Sequence, residues 1–327
     1  MGETMYSFTT ELILPHKEFV AWLMSVKLLS STKSCENCVD PVPMRLHCRT
    51  NRKDLYVWDC PRCRSQVSLR DKSFFALFSD FDLKVILRYI LAWALNNHAY
   101  KNIRVTIQQR DIASYRRLGK ELDSIAIDSF HRNSPGILGG INFRFQVDES
   151  LFVKRKAGIG RLIKERWVVG ILDEYTNRAI FQVVPDRTHR TLRAVIMNHV
   201  SPGSTVTTDG WRAYNGLNLI YIHHRVNHSI NFVDPVTGAH TNGIETQWRH
   251  AKKFVKLRCP NGAFDEVKLQ EQLHVYMWNL WAEATQAKAG ITHSEPIHIC
   301  CLLKVFSPSP TALRLKELVR HSLFRDA

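Results

Sequence analysis

Two pairs of cysteines constrain this chain more than any other feature. Cys35-Glu36-Asn37-Cys38 and Cys60-Pro61-Arg62-Cys63 each set two thiols three residues apart, with 21 residues between the pairs. Two intervening residues let a tight turn present both sulfurs to one ion. Two such knuckles complete the tetrahedral four-sulfur site that Zn2+ favours. Short alternating runs between them, such as Leu55-Tyr56-Val57-Trp58, make the unit a zinc β-ribbon. A ribbon of this size has little core of its own, so a structural Zn2+ held by Cys35, Cys38, Cys60 and Cys63 supplies folding energy. One redox Cys-x-x-Cys would leave the second pair unexplained, and paired knuckles fit a reducing compartment. Cys48, which follows His47, is an alternative ligand to a set that is already complete.

The remaining composition bears on the partner. Of the 327 residues 45% are hydrophobic, enough for packed cores, and 45 Lys+Arg stand against 30 Asp+Glu for a net charge of +15. Such an excess points to a polyanion: DNA, RNA or an acidic membrane surface. No apolar run approaches the roughly 18–20 residues a membrane span needs. The longest, Val85 to Leu95, is interrupted by Arg88. No basic region followed by an apolar stretch opens the chain. A soluble intracellular protein without a membrane partner is expected.

Along the chain, residues 1–32 carry a short amphipathic helix around Glu18 to Met24, and residues 33–70 form the ribbon. Residues 80–132 turn helical: Phe81, Val85, Leu87, Ile90, Leu91 and Leu95 recur at helical spacing. An Arg-rich segment follows, with Arg110, Arg116 and Arg117, and the whole has the size of a helix-turn-helix DNA-binding unit. Pro135-Gly136 and Gly139-Gly140 mark a linker. Residues 141–285 then read as α/β. Strands are expected at Phe143–Val147, Trp167–Leu172, Ala179–Val184, Ser204–Thr208 and Leu219–Val226, with Asp173 to Arg178 as a hairpin loop. Helices are expected at Thr191–Val200, Asn242–Lys256 and Glu266–Thr285. Residues 286–327 form a C-terminal extension.

Three acids stand out in the α/β part. Asp148 is expected to end the first strand, Asp209 to end the fourth, and Glu245 to occupy the first turn of a helix. A carboxylate at a strand's end has a fixed backbone and an open loop beside it. Three converging carboxylates can hold two Mg2+ ions about 3.5–4 Å apart for in-line phosphoryl displacement. Mg2+ prefers oxygen ligands, and Mn2+ can replace it. Taken singly, each acid has a plainer use: an Asp after a strand turns the chain or caps a helix, and a Glu in a first helical turn suits the helix dipole. The helix itself says more. Ile244, Trp248, Ala251 and Val255 share one face, while Glu245, Arg249, Lys252 and Lys256 share another. That second stripe sets an acid beside phosphate-gripping cations, although a solvated face with a Glu–Arg pair has the same pattern.

The segments Val147-Asp148-Glu149-Ser150, Thr208-Asp209-Gly210-Trp211-Arg212-Ala213-Tyr214, Val226-Asn227-His228-Ser229 and His240-Thr241-Asn242-Gly243-Ile244-Glu245-Thr246-Gln247-Trp248 resemble the Merlin superfamily of cut-and-paste transposases and its bacterial insertion-sequence relatives. The resemblance is close over about residues 141–285, and the ribbon and helical unit before it occur in the same order. It implies an RNase H-like core with a catalytic, metal-holding triad of Asp148, Asp209 and Glu245. Their intervals are 61 and 36 residues. Asn242 is the other candidate for the third ligand. If Glu245 holds that place, Asn242 caps the helix or orients a ligand. His240 lies beside the triad. His223, His224, His228 and His240 could make a second metal site, but hydrogen-bonding roles are expected. The basic run Lys154-Arg155-Lys156 matches the family and joins Arg249, Lys252 and Lys253 as expected DNA contacts.

What the resemblance implies is a DNA transposase that binds terminal repeats, cleaves DNA and joins the 3′ ends to a target. Its partners would be double-stranded DNA and further copies of the chain, as a homodimer or larger assembly. It would act in the nucleus of a eukaryote, or in bacterial cytoplasm at the nucleoid. The alternatives are a transposase-derived DNA-binding protein that no longer cuts, and an RNase H-type nuclease that cuts without joining.

Overall fold

The computed structural model describes residues 12–94, 112–134, 136–153, 165–226, 238, 240–259 and 265–288. Lys154, Arg155, Lys156 and His228 lie outside these, as do residues 95–111 of the expected helical unit and 289–327 of the C-terminal extension. The chain forms two compact units that divide between Leu118 and Gly119.

The first unit opens with helix α1 (His16–Ser25), which buries Phe19, Val20 and Leu23. Strands β1 (Ser34–Cys35) and β2 (Val42–Pro43) pair antiparallel, while β3 (Arg45–Cys48), β4 (Tyr56–Asp59) and β5 (Gln66–Ser68) form an antiparallel three-stranded sheet. Cys35 and Cys60 pack with Met44 and Trp58 in a small core. Arg70 is buried and paired: it grips both carboxylate oxygens of Asp54 and donates to the carbonyls of Phe78 and Phe81, each at 2.7 Å. A buried guanidinium needs such a full set of acceptors, and this one ties the ribbon to the aromatic turn Phe74–Phe78. Helix α2 (Leu83–Ala94) buries Leu83, Ile86, Leu87, Ile90 and Trp93; of the residues read from the sequence it buries Leu87 and Ile90, while Val85 and Leu91 are only half-buried. Helix α3 (Ile112–Asn133) begins in this unit and runs on past the division, so that most of it belongs to the second.

The second unit is built on a five-stranded sheet of strands β6 (Arg144–Val153), β7 (Arg166–Asp173), β8 (Ala179–Val184), β9 (Thr205–Asp209) and β10 (Ile222–Val226). Its order is β10-β9-β6-β7-β8; β6, β7 and β8 run antiparallel, and β9 and β10 run parallel to β6. A parallel neighbour requires a crossover, and helix α4 (His189–His199) supplies it between β8 and β9. Its N-cap Thr188 accepts from the Thr191 backbone N–H. Helices α5 (Asn242–Arg258) and α6 (Glu266–Lys288) complete the unit. The unit is therefore mixed α/β.

Helix α6 covers the sheet's outer strand. Gln270 on α6 accepts from Val183 N–H at 2.8 Å and donates to the Phe181 carbonyl at 3.0 Å, so one side-chain amide satisfies two of the groups on the open edge of β8. Two expectations need correction. Asp148 does not end its strand: β6 runs on to Val153 because its pairing with β7 continues through Ser150 and Leu151. The fifth strand begins at Ile222 rather than Leu219, since Leu217–Leu219 forms a 3-10 turn after the left-handed Gly216 (φ 84°). Among the described residues no helix is long and apolar enough to cross a membrane.

Candidate active site

Sheet register brings Asp148 and Asp209 together. The β6–β9 pairing ends with Gln146 opposite Thr207. Asp148 and Asp209 each stand two residues further on, hence level with one another and on the same face. Beyond Gln146 the two strands part, while β6 stays paired to β7 with Asp148 opposite Gly170. Asp148 thus has a rigid backbone on one side and an opening on the other. Asp209 ends β9, and its Oδ1 accepts from the Trp211 backbone N–H at 3.0 Å. Glu245 lies exposed in the first turn of α5, 3.4 Å from the Thr241 hydroxyl.

Electrostatics link the three acids. Burial first, then the charges of Asp209 and Glu245, push the Asp148 carboxyl above its ordinary range. The Trp248 indole N–H, 2.9 Å from Oδ2, and the Glu149 backbone N–H act the other way. A divalent cation would relieve this repulsion, and oxygen donors suit Mg2+ or Mn2+. The carboxylates are not so tightly gathered that three ligand atoms lie within 4.8 Å of one another. Ligands shared between two ions about 4 Å apart do not need to be.

Several residues that position this site were not singled out in the sequence. Gln146, fully buried on β6, accepts from the Ile244 backbone N–H of α5 at 2.9 Å and donates to Glu174 Oε1 at 2.9 Å and His240 Nδ1 at 3.2 Å. It holds the N-terminus of α5, and with it Glu245, against β6. Gly243 allows that approach: a Cβ there would stand 2.7 Å from Leu172 Cδ2 and 2.8 Å from Gln146 Oε1. A polar residue within a buried strand and a glycine opening a helix were the available signals. On the opposite face of β6, Glu149 bonds the Tyr214 hydroxyl and lies 3.5 Å from Arg187, whose guanidinium stacks 3.8 Å over the Trp167 ring. Burial, more than any neighbour, pushes Glu149 upward.

The other expected residues divide. Arg249, Lys252 and Lys253 line α5 as exposed cations, and Lys252 lies 5.6 Å over the Phe152 ring. Asn242 does not cap α5: it is the first helical residue and exposed, Thr241 is at the cap position, and the Asn242 carbonyl accepts from Thr246. His240 serves Gln146, and His223 meets Thr208 Oγ1 at 2.9 Å, so both make hydrogen bonds.

In the first unit, Cys35, Cys38, Cys60 and Cys63 bring their sulfurs within 4.8 Å of one another, the group of this kind among the described residues. Cys35 and Cys63 Sγ are 3.4 Å apart, and Cys38 and Cys60 Sγ 3.8 Å. A tetrahedral ion with Zn–S bonds of roughly 2.3 Å sets its sulfurs about 3.8 Å apart, so the four residues fit Zn2+. The Ser65 hydroxyl, 3.3 Å from Cys35 Sγ and 3.1 Å from Cys63 Sγ, is the leading cause that lowers both thiols, Cys63 to about 6. Burial, then the neighbouring thiols, push Cys38 up to about 12, a cost that a shared cation removes. Cys48 lies exposed on β3 and outside the group.

The match to a family model falls on the second unit. Residues 142–277 match the family model of the ISXO2-like transposase domain. An uncharacterized transposase-like protein of Haemophilus influenzae is 37% identical over 75 residues, 23% of this chain and 59% of that protein. The chain thus spans less than two thirds of that relative's length. Among solved structures, the catalytic core domain of HTLV-2 integrase in complex with magnesium is similar at 14% identity and a TM-score of 0.28, over 44% of this chain and 86% of that one. The core domain of BIV integrase is similar at 12% identity and 0.27, over 45% and 97%.

Proposed function

We propose that the chain is a cut-and-paste DNA transposase of the Merlin kind, with an RNase H-like catalytic core. The observation that carries this reading is a coincidence of place. The segment that matches a transposase domain is the one where the charges of Asp209 and Glu245 bear on a partly buried Asp148. A sheet with three antiparallel strands and two parallel ones supports the RNase H-like core.

In this reading Asp148, Asp209 and Glu245 would hold two Mg2+ or Mn2+ ions, which when bound would supply Lewis-acid activation of a water and stabilisation of a leaving oxygen in phosphodiester cleavage. Asp148 and Asp209 present their oxygens from strands paired to β7 and β10, and Glu245 adds its carboxylate from α5. Arg249, Lys252 and Lys253 grip phosphates beside them, with Lys154, Arg155 and Lys156 contributing further cations. A freed 3′-hydroxyl then attacks target DNA, so no Ser or Tyr nucleophile is required. The ribbon, with its structural Zn2+, and the helical segment bind the terminal repeats. Holding two ends at once calls for a homodimer or larger assembly, and the site of action is the nucleus in a eukaryotic host.

A strand-transfer assay with Mg2+ and end-bearing duplex tests the whole reading. Joined products are expected. Cleavage without joining would point instead to a resolvase-like nuclease, and binding without cleavage to a DNA-binding derivative.

A further inference from the structure

We propose that Trp248 is a positioning residue that dictates which oxygen of Asp148 faces a divalent cation, and that Gly170 lacks a side chain in order to admit it. The inference rests on the metal-dependent nuclease reading above. The Trp248 Nε1–H donates to Asp148 Oδ2 at 2.9 Å, reaching from α5 to β6. An indole has a single donor with one direction. It therefore fixes one carboxylate oxygen and leaves Oδ1 for the ion. A ligating carboxylate held this way is presented in one orientation, which is how outer hydrogen bonds strengthen a metal site.

The indole is itself held. It is 5% exposed, and its ring meets Phe181 at 5.0 Å and Phe152 edge-on at 5.9 Å. Its floor is Gly170, the β7 residue paired with Asp148. A Cβ at Gly170 would lie 2.7 Å from Trp248 Cζ2, 2.8 Å from Cη2 and 2.9 Å from Ile244 Cδ1, closer than real contacts allow. A glycine inside an otherwise apolar strand weakens it and commonly marks a close approach; here the approach is that of the indole. An aromatic ring placed only to fill the core would not require its N–H on a carboxylate that also feels the charges of Asp209 and Glu245. Glu245 lies three residues before Trp248, so one helix carries both a candidate ligand and the group that orients another.

The test uses the full chain with Mn2+ alone as the probe. Binding is followed by calorimetry, beside plasmid nicking in Mg2+. Asp148→Ala identifies the binding event that belongs to the site. Trp248→Phe keeps an aromatic ring and removes the N–H. It should lower Mn2+ affinity at that site by about tenfold while the protein stays folded and DNA affinity stays near that of the parent. Gly170→Ala, which displaces the indole, should weaken the same event, and it decides the matter if Trp248→Phe does not fold. Parent-like Mn2+ affinity in the folded variants overturns the role of Trp248 and leaves the nuclease reading intact. A parent protein with no Asp148-dependent Mn2+ binding and no nicking overturns both.

Discussion

At the scale of single residues, the third acid is the sharpest question. Asp148→Ala, Asp209→Ala and Glu245→Ala should each abolish cleavage and strand transfer while DNA affinity holds, because carboxylates on the ions act on the transition state and contribute nothing to gripping phosphate. Asn242→Ala should cost far less. The Asn242 side chain is exposed and leaves the cap position to Thr241, whereas the charge of Glu245 is felt at Asp148. Turnover measured side by side decides it: a Glu245→Ala protein that joins DNA at near-parent rate removes Glu245 from the triad. A different residue sets a pH limit on the fold. Burial, then the charge of His131, pulls the His274 imidazole down to about 4. His274 Nε2 is 3.1 Å from the Gln270 amide nitrogen and accepts from it, a bond the protonated ring would lose. The unfolded chain takes up that proton near 6.5. Between the two values the unfolded state binds more protons, so stability rises with pH; the full contribution is present above about 6.5 and is lost as pH falls toward 4. Denaturant midpoints at pH 7 and pH 5 should therefore differ, and His274→Gln should narrow the difference. His223, also pulled to about 4 by burial and then Arg225, accounts for part of what remains.

At the scale of elements, the zinc proposed for the ribbon is the ion on which one element's stability would most depend. The ribbon's buried cluster is Cys35, Met44, Trp58 and Cys60, so two of these four residues are also proposed sulfur ligands. Cys60→Ser should release the zinc, about one per chain in the parent by metal analysis, and unfold the ribbon's own sheet; full zinc retention would refute the assignment. This unit was legible in the sequence because its chemistry is written in residue type and short spacing. The strands of the second unit were legible for a related reason: short apolar runs between turn residues bound them locally, and Ala179–Val184 falls where such a run lies. What the sequence hid depends on contacts far apart in the chain. Nothing local shows that β6 continues past Asp148, because the partner strand that extends it is β7, numbered some twenty residues later. Gln146 reads as a polar interruption until α5 arrives to use its carbonyl, 98 positions away. Gly170 and Gly243 read as weak points until the atoms that need their missing side chains are in place. The triad lies between these cases. Its residue types could be named, but Asp148 and Asp209 are brought level by the β6–β9 register and the start of α5 is held by Gln146, and both are properties of the fold.

At the scale of the whole molecule, a net charge of +15 and a site made of acids must be reconciled. The two serve different steps. Affinity for a duplex comes from cations that displace condensed counterions, so it falls steeply with salt. Arg249, Lys252 and Lys253 stand exposed along the helix that also carries Glu245, which places attraction for phosphate beside a group that repels it. The expected result is a protein that binds DNA through many distributed contacts and spends its carboxylates only on chemistry. Binding measured between about 50 and 200 mM salt should lose orders of magnitude in affinity. Each neutralised cation, as in Arg249→Gln or Lys253→Gln, should flatten the logarithmic salt slope by about one while leaving sequence preference unchanged. Asp148→Ala should instead leave the slope alone, with affinity held or slightly raised by the loss of a negative charge near phosphate. An affinity indifferent to salt, or a slope that changes with Asp148→Ala and not with Lys253→Gln, would mean that the exposed stripe on α5 is an ordinary solvated face and that the excess positive charge serves some other part of the chain.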